Sequence, residues 1–195
     1  MKSLKQKRIE EYEINSCTMF LQPVDYGSRI FTQVFEVEDE FISPFKPLEV
    51  VKNSCDYYGC DYESRKKGTS HLIGYTRKLP IAIEPTSNIF FFPTTSPSRP
   101  DCSWISYDFI KEYSRVAPQK TKITFQNNQS HLFSAPYSTI EAQILRTSRL
   151  KTLLMQRIQS NERKLYYILH KAEEMKASEK IEHNYGKNML VRDKK

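Results

Sequence analysis

Apolar and β-branched residues come in short runs over the first two-thirds of the chain. Thr18–Val24, Ile30–Val37, Ile81–Ile83, Ile89–Phe92 and Lys122–Phe125 have strand character. Strict alternation fails at Phe31, Val34 and Phe35, so no single buried face can be assigned. Ten prolines, from Pro23 to Pro136, punctuate these runs. Asn127-Asn128-Gln129, set between Thr124-Phe125 and His131–Phe133, suits a hairpin tip, because Asn tolerates left-handed backbone. Two short helices are expected among the strands. One starts with Pro47 at its first position and runs through Leu48, Val50 and Val51. The other spans about Tyr58–Lys67 and stops at Gly68.

The period changes after Pro136. Ser138 and Glu141 have capping-box spacing. Ile140, Ile144, Leu150, Leu154 and Ile158 then fall within an arc of roughly 120° on a helix. Arg146, Arg149 and Arg157 occupy a different flank. This apolar stripe suits packing on the body or a dimer seam. A second helical stretch, Glu162–Ile181, carries Leu165, Ile168, Leu169 and Ala172. No Pro or Gly separates the two, so they form one long helix or two shorter ones. The expected fold is α+β: a strand-rich, proline-punctuated body with short helices, followed by the C-terminal helix or helices. Residues 1–9 read as a flexible basic tail, 10–160 as one domain and 161–195 as a charged helical tail with a regulatory role.

Composition narrows the functional classes. Twelve Tyr, eleven Phe and one Trp in 195 residues argue against wholesale disorder. Thirty Lys+Arg against 23 Asp+Glu, a net charge of +7, favour an anionic partner. The basic start meets Glu10 and Glu11 with no apolar stretch behind it, and Ile89–Phe92 ends at Pro93, so a cytoplasmic protein without a membrane role is expected. The four cysteines, Cys17, Cys55, Cys60 and Cys102, are expected as thiols. Cys55 and Cys60 lie outside zinc-knuckle spacing, and His71, His131, His170 and His183 stand far apart, so no metal is expected. Five glycines never form G-x-G, and no nucleophile elbow or H-E-x-x-H occurs, so neither a cofactor nor an enzyme is expected.

Basic residues interleaved with aromatics remain. Arg65, Lys66 and Lys67 follow Tyr57, Tyr58 and Tyr62, with Arg77 and Lys78 shortly after. Three adjacent cations suit phosphate neutralisation, and they equally suit a solvated helix end that offsets the macrodipole. Arg99 stands between Ser98 and Pro100 in a turn, where an arginine can project toward a narrow A·T-rich minor groove. Trp104 reads as core.

Three blocks carry a family resemblance. The first is Ser54-Cys55, Tyr57-Tyr58-Gly59, Tyr62, Arg65-Lys66 and Gly68-Thr69. The second runs Ile89-Phe90, Phe92-Pro93-Thr94, Ser96, Arg99-Pro100, Cys102 and Trp104-Ile105-Ser106. The third is Glu141, Gln143, Arg146-Thr147 and Leu150. Over about residues 10–158 the chain resembles the ComK family of competence transcription factors of Gram-positive bacteria. The resemblance implies a DNA-binding activator of DNA-uptake genes that recognises paired A/T-rich boxes through the minor groove as an oligomer. It also implies control by an adaptor that delivers the protein to a Clp-type protease. Charge and position, rather than the resemblance, select the expected DNA contacts: Arg65, Lys66, Lys67, Lys78, Arg99, Arg146 and Arg149. The alternative is a protein-interaction module whose basic face meets an acidic partner without DNA.

Overall fold

The computed structural model describes residues 7–192, with side chains for 8–171. It forms two compact units, Met1–Leu153 and Leu154–Lys195. In chain order the elements are β1 (Lys7–Arg8), β2 (Thr18–Tyr26), β3 (Arg29–Glu36), β4 (Glu40–Ser43), α1 (Pro47–Tyr57), α2 (Tyr62–Ile73), β5 (Ile81–Glu84), β6 (Ile89–Pro93), β7 (Trp104–Ser106), β8 (Ile110–Ala117), β9 (Lys120–Phe125), β10 (Ser130–Phe133) and α3 (Tyr137–Arg192). The fold is α+β and strand-rich, with the long helix last. Residues 1–6 of the expected tail lie outside the described residues, and Lys7–Arg8 pair in parallel with β4. No helix among the described residues is long and apolar enough to cross a membrane.

A seven-stranded sheet, ordered β1-β4-β3-β2-β7-β6-β5, is antiparallel apart from β1–β4. Both of its faces are covered. On one, Leu21, Val34, Phe91 and Trp104 pack against Val50, Val51 and Cys55 of α1 and Tyr62 of α2. On the other, Phe20, Phe92 and Ile105 pack against Ile123, Phe125 and Phe133 of a smaller antiparallel sheet, β10-β9-β8, and against Ile140 of α3. Two covered faces explain the unbroken Ile-Phe-Phe-Phe run of β6, since every position is buried. They also explain β3, where Val34 enters one core and Phe35 borders the other. A bulge between Thr18 and Phe20 turns Met19 and Phe20 toward the same core.

Local chemistry sets the helix ends. Pro47 opens α1, and the carboxylate of Glu49 accepts from the Lys46 backbone N–H at 2.8 Å. Asp61 caps α2 by accepting from the Ser64 N–H at 3.0 Å. That helix starts at Tyr62 rather than about Tyr58 and ends at Ile73, six residues beyond the expected Lys67. The residue that takes the left-handed conformation is Gly74, with φ +75°, and its N–H donates to Ser70 O at 2.9 Å. The last helix begins at Tyr137, so Ser138 lies inside it, and Pro136 O accepts from the N–H groups of Thr139 and Ile140. It continues unbroken to Arg192, the single-helix form of the two arrangements left open by the sequence. Asn128, with φ +65°, forms the β9–β10 hairpin tip.

Candidate nucleic-acid interface

The basic residues gather where the helices meet two loops. The loop between β6 and β7, residues 94–103, is short and internally bonded. Arg99 N donates to Ser96 O at 2.9 Å, Cys102 N to Arg99 O at 3.2 Å and Ser103 N to Thr94 Oγ1 at 3.0 Å. Cys102 is buried beneath it, and burial pushes its thiol up to about 11. Ser96, Pro97, Ser98, Arg99 and Pro100 therefore stand as a ridge over a hydrogen-bonded base.

A cleft lies on either side of this ridge. One, of about 410 Å³, is lined by Lys52, Tyr62, Lys66, Arg77 and Lys78, with Pro97 and Ser98 as its wall. The other, of about 420 Å³, shares Lys52, Pro97 and Ser98 and adds Lys46, Glu49 and Arg99. Together the clefts carry six cations, Lys46, Lys52, Lys66, Arg77, Lys78 and Arg99, against two carboxylates, Glu49 and Glu63. Glu63 is already paired with Lys66 at 3.0 Å. Tyr62 is buried between cations, with Lys52 Nζ 5.8 Å and Lys66 Nζ 5.9 Å from its ring centre.

Arg99 is exposed and held in a bidentate pair. Its Nε donates to Asp101 Oδ1 at 2.9 Å and its Nη2 to Oδ2 at 3.0 Å. The hydrogen bonds from Arg99 hold the Asp101 carboxyl below the usual range. The fork uses two of the five guanidinium N–H groups, so Arg99 is pre-oriented and still able to donate.

The loop of Arg77 and Lys78 is fastened from the other side by α3. The buried amide of Gln143 donates through Nε2 to Lys78 O at 2.9 Å and to Pro93 O at 2.8 Å. One turn later, Arg146 Nη1 donates to Arg77 O at 3.3 Å, and its guanidinium sits 4.1 Å from the centre of the Tyr75 ring. Lys78 has φ +50°, a left-handed conformation that these bonds hold. Arg146 thus buttresses the basic loop rather than lining a cleft.

The remaining sequence-selected cations are placed differently. Lys67 is exposed on α2, beside Lys66, on a shallower surface that includes Ser70 and His71. Arg65 is half-buried on the same helix, outside both clefts, and its Nε has no hydrogen-bond partner. Its charge reaches Glu84, where burial raises the carboxyl but Thr86 hydrogen bonds and Arg65 outweigh it, for a net lowering. Arg149 is exposed on α3 and lines neither cleft. Lys46, Lys52 and Arg77 were not among the expected contacts. Only the meeting of α1 with the ridge picks out Lys46 and Lys52, whereas Arg77 has the adjacent-cation signal that pointed to Lys78. Trp104 is fully buried.

Comparison with known proteins places these features in a family context. The family model described as ComK protein matches residues 9–159. The chain is 35% identical over 150 residues to the "Competence transcription factor" of Bacillus subtilis (strain 168), covering 77% of this chain and 78% of that protein. No solved structure matches significantly.

Proposed function

The chain belongs to the ComK protein family, and on that premise we propose that it is a sequence-selective DNA-binding activator of competence genes. It binds paired A/T-rich boxes through the minor groove, as an oligomer, without enzymatic chemistry. The observation that carries the reading is the ridge with a cationic cleft on each side. A minor groove is about 6 Å wide and flanked by two phosphate strands. The ridge suits the groove, with Arg99 facing its enhanced negative potential over A·T pairs. Lys46 suits one strand and Lys66, Arg77 and Lys78 the other, with Lys52 lining both clefts. Those contacts set position and affinity, whereas groove width and deformability set selectivity.

Salt titration of binding to two duplexes tests this reading. One duplex carries paired A/T boxes, the other is G/C-rich, and a minor-groove A/T ligand competes. Preference for the A/T duplex, a steep salt dependence and displacement by the ligand are expected. Equal binding to both duplexes, lost together at modest salt, overturns the reading in favour of an acidic protein partner.

Abundance is set by an adaptor and a Clp-type protease, with residues 161–195 as the recognised segment. Its dense charge supports this reading. Deleting residues 162–195 is expected to slow turnover in cells without abolishing binding to a duplex that carries a single A/T box. Unchanged turnover refutes it.

A further inference from the structure

The second unit carries apolar side chains in water. Every residue from 159 to 171 is exposed, including Leu165 at 58%, Ile168 at 62% and Leu169 at 55%. A helix with an uncovered apolar face lacks the packing that stabilises most helices in proteins. The spacing here is seven residues. Ile158, Leu165 and Ala172 recur at one heptad position, called a, and Leu154, Asn161 and Ile168 at the position three residues further on, called d. A repeat of 3.5 residues is the seam of a left-handed supercoil.

We infer that this face is covered by the same face of a second copy of the chain, in a parallel, in-register, two-stranded coiled coil beginning at Leu154. Charge selects the occupant and the direction. In a parallel pair, each g position faces the e position five residues on in the partner helix. Arg157 at g then meets Glu162 at e, twice by symmetry. An antiparallel pair sets g against g, and the g residues are Arg157, Lys164 and Lys171, all cationic. Asn161 selects the register. In register, its amide faces the matching amide. In any shifted register it is buried against Ile or Leu without a partner.

The inference rests on the reading of an oligomer bound to paired boxes, because parallel helices send both preceding units out at the same end. It names the surface that holds that oligomer together.

The test is the monomer–dimer equilibrium of the full chain by analytical ultracentrifugation, with helicity checked by circular dichroism. The wild type is expected to dimerise. Glu162→Arg is expected to weaken the dimer about tenfold, by setting two arginines against Arg157. Arg157→Glu combined with Glu162→Arg is expected to restore most of the loss, and Ile168→Asp to leave a monomer. A wild type that stays monomeric overturns the inference, including one that uses this face for a different protein. So does a dimer insensitive to Ile168→Asp, or a double variant no better than Glu162→Arg alone. Binding of Ile168→Asp to a duplex with a single A/T box separates the two readings. Retained binding with altered dimerisation supports both. Binding lost from the wild type and the variant alike refutes the DNA reading, while the ultracentrifuge still judges the coiled coil.

Discussion

Gln143 fastens the basic loop to the core. It is a polar side chain within the apolar contact between α3 and the body, and one NH₂ group holds two carbonyls from separate segments, at Lys78 and Pro93. Replacing it with Leu keeps the volume and strands both carbonyls. A loss of about 2 kcal/mol is expected, measured by urea unfolding. Amide exchange should quicken over residues 75–78, and DNA binding should weaken even where the protein is fully folded. His131 makes a second prediction. Its ring packs on Phe20 at 4.6 Å and Phe35 at 4.9 Å, and burial lowers its pKa, partly offset by Glu40. The folded state therefore favours the neutral ring. Its contribution is whole above the ordinary histidine value of about 6.5 and is lost as pH falls below that, because the unfolded chain takes the proton first. The melting temperature should drop between pH 7.5 and pH 5, and His131→Phe should flatten that drop. Equal slopes would show that His131 plays no part.

At the scale of elements, the two glycines of α2 give an opposed pair. Gly68 lies inside the helix, with open space where a Cβ would stand, so Gly68→Ala should stabilise by about 0.5–1 kcal/mol. Gly74 also has space but sits at φ +75°, and Gly74→Ala should destabilise by about 1 kcal/mol. Thermal melts of the two variants should shift in opposite directions. The same pair shows where sequence reading reached its limit. Gly68 carries the usual stop signal, but which of two glycines turns left-handed depends on the bond from Gly74 to Ser70 O. The strands at Thr18, Ile30, Ile81, Ile89 and Lys122 were legible because β-branched and aromatic residues concentrate there. β4, β7 and β8 were not. β4 and β7 are short, and β8 is a largely exposed edge strand whose Lys, Glu, Ser and Arg carry no apolar pattern. The stripe on α3 was legible only in part. Ile140 and Leu150 are buried, but polar Gln143 and Thr147 are buried beside them, and Ile144 is only half-buried. A hydrophobic count passes over buried polar residues whose value lies in distant carbonyls.

For the whole molecule, charge is organised by assembly. Lys46, Lys52, Lys66, Lys78 and Arg99 come from four separate stretches of chain, and only the fold brings them around one ridge. Adjacency in sequence does not decide which cations line a cleft: Arg77 and Lys78 both do, whereas of the neighbours Arg65 and Lys66 only Lys66 does. The arrangement separates two kinds of variant. Lys52→Ala should weaken binding to all duplexes alike and reduce the slope of log K against log salt by about one. Arg99→Ala should instead erode the preference for A/T over G/C while leaving much of the general affinity. Binding isotherms at several salt concentrations distinguish these outcomes. If Arg99→Ala weakens both duplexes equally, the ridge does not read the groove.

The large sheet also imposes an order in time. Its middle strand pair joins β2 to β7, so Phe20 and Leu21 find their partners only at Ile105 and Trp104. During synthesis β2, β3 and β4 can pair with one another as soon as they emerge, but the far edge of β2 stays open until Trp104 and Ile105 of β7 have followed. The cover for its second face comes later still, with Phe125, Phe133 and Ile140. The nascent chain therefore passes through a long interval with a sticky strand edge and bare phenylalanines, a state that invites aggregation and the attention of chaperones and proteases. Folding of the large sheet therefore waits on the synthesis of β7 and of the segments that cover its second face.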